Sequence, residues 1–314
     1  MQNKLIKVGI LVSYDYELIK KSLPLIYQYA DKIVLAVDKD GKTWAGNNID
    51  IPTIFFEWIK DYDTDSKIEI YRDSFYQEGF TAPELDTRER NMLGKYMGEG
   101  GWFIQLDADE YFIDFKHFVD FLHHIDKENP KIVTVEMAWI TLYKQVSTGF
   151  FIVKGNSPEQ PIATKNPNYD YIRYPVNYSM YNSILYNHRI VHESFARSEE
   201  DLWKKISNWG HKDDFNTKSY FKMWQAIDEN NYKIFHNIHP LFPHTWGHLE
   251  FVKANDVQSF LDEIKRTNLH VISEKPSTTV KHIVKLFIPP IMGKIKKYAK
   301  KFYKKYNYKI MKKQ

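Results

Sequence analysis

The sequence predicts an α/β fold, with a mainly parallel sheet and helices on both faces. Three observations carry this. Apolar, strand-like runs alternate with helix-period segments through the first half of the chain. Two of those runs, at 32–38 and 102–106, lead straight into acidic residues. The chain has 314 residues, 43% hydrophobic and 27% charged, which suits one large globular domain with insertions, or two small ones, and not a disordered chain.

The elements follow in order. Residues 4–13 (KLIKVGILVS) read as a buried strand, and 17–29 have helical spacing, with Leu18, Leu25, Ile26 and Tyr29 apolar. A second strand at 32–38 (KIVLAVD) ends in acid, and a short one is expected at 67–71. Thr81-Ala-Pro-Glu84 is a capping box with proline in the first turn, so a helix should run to about Met97, where Gly98–Gly101 breaks it. The strand at 102–106 (WFIQL) runs into Asp107-Ala-Asp109-Glu110. An amphipathic helix at 114–125 and a strand at 131–139 follow. Residues 145–185 are rich in Asn, Pro, Tyr and Gly without clear periodicity, and read as a lid or acceptor-binding insertion. Helices are expected at 217–230 and within 247–266.

Composition excludes several classes. With no cysteine there are no disulfides, no thiol catalysis and no Cys-ligated zinc. The apolar N-terminal stretch is too short for a signal peptide, and no run approaches the ~18 apolar residues of a membrane span, so a cytoplasmic location is expected. An aromatic content of 16% suits sugar-binding clefts, though a sequence rich in Lys, Asn, Ile and Tyr reaches it in any case. The +4 net charge divides into +13 from the 13 lysines between Lys275 and Gln314 and −9 for residues 1–274. A mildly acidic body thus carries a strongly basic tail.

Chemistry concentrates at Asp107-Ala-Asp109-Glu110. Clustered carboxylates at a strand's carboxyl end repel one another unless a cation joins them, and oxygen ligands suit Mg2+ or Mn2+. An acidic turn capping the next helix is the alternative. A wider set of residues bears on the choice. Arg88-Glu-Arg90-Asn91, a small-residue turn, the apolar strand and Asp107-x-Asp109 together resemble the central block of family-2 glycosyltransferases. Val8–Asp15 and Ile33–Asp40, which leads into Gly41-Lys-Thr43, stand where those enzymes have their first two strands. The resemblance covers about the first 115 residues. It implies a GT-A fold, with residues 1–115 as the nucleotide-sugar half, 116–275 as the acceptor half and 276–314 as a basic tail.

The resemblance also implies site residues. Asp107 and Asp109 would hold Mn2+ or Mg2+ at the donor pyrophosphate, and Asp38 would contact base or ribose. Ser13, Tyr14, Asp40 and Arg90 would complete the donor site. His188-Arg189-Ile-Val-His192-Glu193 resembles the Val-His-Glu segment of bacterial enzymes that build lipopolysaccharide core and related glycolipids. There Glu193 would be the general base of an inverting transfer, Arg189 would neutralise donor phosphate, and His211 would lie beside the phosphates or metal. In a strand, however, His192 and Glu193 point to opposite faces and only one can line a cleft. His244 and His248 are spaced i,i+4, but lack the Glu of a zinc helix and sit beside Pro243 and Gly247.

The tail interleaves apolar and aromatic residues with lysine over 281–310, split by Pro289-Pro290. That pattern predicts basic amphipathic helices at an anionic membrane surface. A nucleic-acid arm is the disfavoured alternative. The expected partners are a nucleotide-sugar donor, a glycan or lipid-linked acceptor and an anionic bilayer, with no nucleic acid. The expected activity is a hexosyl-type glycosyltransferase at the cytoplasmic membrane face. Retaining transfer, nucleotidyl transfer and a non-catalytic glycolipid-binding role are the alternatives.

Overall fold

The computed structural model describes residues 4–155, 159–210 and 212–272. The basic tail and His211 lie outside them. The chain begins β1 (Ile6–Val12), α1 (Ile19–Ile26), β2 (Lys32–Asp38), α2 (Thr53–Tyr62), β3 (Ile68–Asp73), α3 (Ala82–Tyr96), β4 (Trp102–Asp107). It continues β5 (Glu110–Tyr111), α4 (Phe115–Glu128), β6 (Thr134–Met137), β7 (Trp139–Val146), β8 (Gly149–Lys154), β9 (Gln160–Thr164). Then come β10 (Tyr169–Tyr171), β11 (Tyr174–Pro175), β12 (Ser183–Leu185), β13 (Ile190–His192), α5 (Glu199–Asn208), α6 (Thr217–Ala226), β14 (His248–Lys253) and α7 (Val257–Arg266).

The fold is mixed α/β. A seven-stranded sheet runs β12-β6-β9-β4-β1-β2-β3. Its members β4, β1, β2 and β3 are parallel neighbours, and β9 is antiparallel to both β4 and β6. Strands buried on both faces are mostly apolar, which is why β1 and β2 read as near-continuous hydrophobic runs, with Lys7 as the polar residue inside β1. Alternate residues serve opposite faces. Ile6, Val8, Ile10, Ile33, Leu35 and Ile104 pack against Ile19 and Leu23 of α1, Phe55 of α2 and Phe118 and Leu122 of α4. Leu11, Val34, Ala36 and Phe103 pack against Leu93 of α3. Helices therefore cover both faces, as the strand–helix alternation requires.

The predicted strand at 131–139 divides at Ala138. β6 belongs to the large sheet, whereas β7 enters a second sheet of order β14-β8-β7-β13-β5. The stretch read as an irregular insertion from 145 contains β8 and β9, whose strand signals are interrupted by polar loops and recovered only by pairing. The segment expected to be helical from 247 starts as β14, an edge strand paired with β8, and becomes helical at Val257. Helices α2 and α5 had no sequence expectation. α2 buries Phe55 and Ile59, and α5 buries Leu202, Lys205 and Ile206.

One junction positions the site. The chain leaves the large sheet at Asp107 and enters the small one at Glu110. β5 then pairs antiparallel with β13, setting His192 opposite Glu110. The Glu193 N–H donates to the Asp109 carbonyl at 2.9 Å. The two motifs singled out in the sequence are thereby brought side by side, although more than 80 positions separate Asp109 from Glu193.

Candidate active site

A cavity of about 340 Å3 opens at the carboxyl ends of β1, β2 and β4. One wall is built by Leu11–Asp15, Asp38, Lys42–Trp44, Phe75, Tyr76 and Glu89. Asp107 and Asp109 form the floor. The facing wall includes Trp139, His192, Ser194, Lys205 and Asn208, with an aromatic lip of Phe195, Trp209, Phe242 and Trp246. The Asn47 side-chain amide donates to Oδ1 of the Asn208 side chain at 2.9 Å, linking the loop after β2 to α5 on the other wall.

Of the expected donor residues, Ser13, Tyr14, Asp38 and Asp107 line the cavity. Asp38 is not free to bind a ligand. Its Oδ1 accepts the N–H groups of Asp40 and Lys42, both at 3.0 Å, and its Oδ2 accepts those of Phe75 and Tyr76 at 2.8 and 3.1 Å. Four amides saturate the carboxylate, so Asp38 is a staple between the loops after β2 and β3. Asp40 is exposed, accepts the Ser74 hydroxyl and lies off the cavity. Arg90 is 1% exposed; its Nε donates to Asp86 and its Nη2 to Asp107, each at 2.7 Å. It supports the floor from behind instead of facing a ligand.

The two floor carboxylates are not alike. The Asp107 side chain is 38% exposed, with Arg90 at 2.7 Å and Arg173 Nη2 at 3.0 Å. Burial raises its carboxyl, but the Arg173 and Arg90 guanidiniums outweigh this and hold it well below the usual range. Asp109 is 2% exposed. Its Oδ2 accepts from Arg197 at 2.5 Å and Lys205 at 2.7 Å, with His192 Nε2 at 3.4 Å. Burial raises its carboxyl, but Lys205, His192 and Arg197 beside it outweigh this and hold Asp109 well below the usual carboxylate range. Glu110 is buried and bonds Arg173 at 2.8 Å and the Asp107 N–H at 2.9 Å.

Asp107 is the more open of the two to the cavity, but both its oxygens are engaged, Oδ1 by Arg90 and Oδ2 by Arg173, so a divalent cation there would have to take the place of one of them. Asp109, expected as its companion ligand, also lines the cavity, and its Oδ2 is held by Arg197 and Lys205. No group of three or more His, Asp or Glu among the described residues could hold a metal by itself. Arg90, Arg173, Arg197 and Lys205 are each bonded to a carboxylate. An arriving diphosphate would thus find little uncommitted positive charge on the floor, and this favours a cation that enters with it.

Glu193, expected as the base, does not line the cavity. It is 3% exposed; Lys21 Nζ donates to its two oxygens at 2.9 and 3.1 Å, and the Tyr111 hydroxyl donates to Oε2. Strand alternation instead turns His192 into the cavity, beside the Trp139 ring at 5.2 Å. Ser194 follows at φ 45°, a left-handed conformation that costs a non-glycine residue and recurs at functional sites. Arg197 Nε bonds the Ser194 carbonyl at 2.9 Å and holds this bend. Arg189 points elsewhere, its guanidinium donating to the carbonyls of Leu269 and Val271 at 3.1 and 3.4 Å. His244 and His248 flank the start of β14, where the chain is not α-helical.

Sequence reasoning missed Glu89, Trp44, Arg173, Arg197 and Lys205. Arg197 stands four residues after Glu193, which was a usable signal. The others carry none that is local.

No family model matches the sequence, and no curated protein does. Three solved structures share part of its shape. A mannosyltransferase from Pyrobaculum calidifontis, in complex with GDP-Man and Mn2+, superimposes with a TM-score of 0.41 at 8% identity, over 92% of this chain and 81% of that one. Mannose-6-phosphate isomerase from Helicobacter pylori gives 0.31 at 10%, over 50% and 60%. Mannose-1-phosphate geranyltransferase from Thermus thermophilus gives 0.25 at 10%, over 50% and 48%. All three scores lie below 0.5, so the functional reading rests on the cavity itself.

Proposed function

We propose that the chain is an inverting, nucleotide-sugar-dependent glycosyltransferase. The observation that carries this is one cavity that joins a carboxylate floor at strand ends to an aromatic lip. The nucleoside diphosphate lies along the β1–β2–β3 wall, with its phosphates towards Asp107. The sugar lies under the lip, where aromatic faces cover the apolar C–H faces of pyranoses; Phe195 and Trp246 stand 5.4 Å apart, and Trp246 and His239 4.6 Å.

In the reaction the acceptor hydroxyl oxygen attacks the anomeric carbon, while the bond from that carbon to the phosphate oxygen breaks. The electron pair leaves on the nucleoside diphosphate. His192 takes the acceptor proton; Asp109 holds the imidazole through Nε2, leaving Nδ1 as the basic nitrogen. Mn2+ or Mg2+ bound with the donor at Asp107 would supply neutralisation of the diphosphate charge. A lipid-linked acceptor at the cytoplasmic membrane face suits the lysine-rich tail.

The test is incubation with a panel of nucleotide sugars, with and without Mn2+, following nucleoside diphosphate release and the anomeric configuration of the product by NMR. Release of diphosphate with inversion supports the proposal. Retention of configuration overturns the single-displacement mechanism, and no release from any donor overturns the enzymatic reading.

A further inference from the structure

We propose that Glu89 reads the nucleobase of the bound nucleotide, taking the recognition role that Asp38 cannot perform. The inference rests on the proposed nucleotide site and adds to it the residue that would set base specificity.

The argument begins with what the β-sheet wall offers a base. Nucleobases are flat, and they are discriminated by hydrogen bonds to their edges. The wall supplies rings at Trp44, Phe75 and Tyr76. Asp38, the carboxylate nearest the loops that carry these rings, has all its acceptor positions filled by backbone amides. Two other carboxyls lie on this wall: Asp15, which is paired with Arg197 at 3.2 Å, and Glu89. It projects from the middle of α3, and its Oε2 accepts the Trp44 indole N–H at 2.7 Å. That bond fixes the carboxyl against one of the rings. Glu89 makes no ion pair among the described residues, and the indole bond is its only hydrogen bond there. The next residue, Arg90, turns away to Asp86 and Asp107.

A carboxyl that is 6% exposed, lines the cavity and has one oxygen anchored by Trp44 keeps its other oxygen available to a ligand. Burial, reinforced by the nearby Asp86 and Asp38 charges, pushes it up to about 8 against the Trp44 hydrogen bond, so at neutral pH it also has a proton to donate. Its purely structural alternative, a cap for the Trp44 indole, makes a different prediction for binding.

Dissociation constants for ADP, GDP, UDP and CDP, measured calorimetrically with Mn2+ on wild type, Glu89→Gln, Glu89→Ala and Trp44→Phe, separate the two. Wild type should prefer one base. Glu89→Ala should weaken that nucleotide by about 10-fold or more and leave the others within about 3-fold, erasing the preference. Trp44→Phe, which keeps the ring but frees the carboxyl, should narrow it. Melting temperatures confirm folding, and the nearly isosteric Glu89→Gln serves if the alanine variant fails to fold; it should alter the ranking too. An unchanged ranking in Glu89→Ala or Glu89→Gln, or a uniform loss across all four nucleotides, overturns base reading while leaving the nucleotide site intact. No binding of any nucleotide by wild type overturns both.

Discussion

Asp109 and Asp107 illustrate how two carboxylates at adjacent turn positions acquire different work. Asp109 neutralises Arg197 and Lys205 in the interior. Asp109→Ala strands both cations and should cost about 3–5 kcal/mol of stability, seen as a large fall in melting temperature. Loss of activity there would say nothing of a metal. Asp107→Asn keeps shape at a more open site. It should preserve the fold but remove the Mn2+-dependent rise in melting temperature that nucleoside diphosphate gives wild type. An undiminished rise would exclude Asp107 as the cation's ligand. The neighbouring pair on β13 divides in the same manner. His192→Gln should lower kcat by about 10²-fold or more with donor affinity unchanged, because it removes proton transfer and little else. Glu193→Gln loses the Lys21 ion pair, and should lower the melting temperature while retaining most turnover. A dead Glu193→Gln beside an active His192→Gln would reverse the assignment.

Between elements, the join of α4, the approach to β13 and the turn after α7 is built from histidines. The His188 ring lies 4.8 Å from His117 and stacks on His270 at 4.9 Å, with Tyr186 at 5.0 Å. Its Nδ1 is buried without a hydrogen bond among the described residues. Burial, then the nearby His270 and His117, lower His188 from 6.5 to about 4, with Asp114 opposing. The unfolded chain therefore binds this proton first as the pH falls, and the stability present above pH 6.5 is lost progressively towards pH 4. The melting temperature should drop between about pH 7 and pH 5, and His188→Phe should flatten that dependence. A slope unchanged in His188→Phe would place the titration elsewhere.

At the scale of the whole molecule, charge is divided between an acidic body and 13 lysines beyond residue 274. A body at −9 is repelled by an anionic bilayer, whereas each lysine near such a surface contributes roughly 1 kcal/mol, screened by salt. A chain ending near Lys275 should fold and bind nucleotide, yet fail to sediment with anionic liposomes. The full chain should sediment, less so as salt rises. Equal sedimentation by the two would show that the tail is not the anchor.

Sequence by itself determined the parallel strands β1 to β4 of the large sheet, the capped helix α3 and the acidic turn after β4. Each is encoded by neighbours: an apolar run, a Thr81–Glu84 box, a strand ending in Asp107. It left open which of His192 and Glu193 faces the cavity, because a three-residue strand has no period to read until β5 and β7 fix its register. It mistook Asp38 for a ligand-binding group, since nothing local announces that amides 37 and 38 positions away, at Phe75 and Tyr76, will saturate it. The cations of the floor were invisible for the same reason. Lys205 meets Asp109 across 96 positions and Arg173 meets Glu110 across 63. Local pattern governs which segments become strands and helices; only the folded chain brings distant charges within hydrogen-bond reach and decides which carboxylate remains open to a ligand.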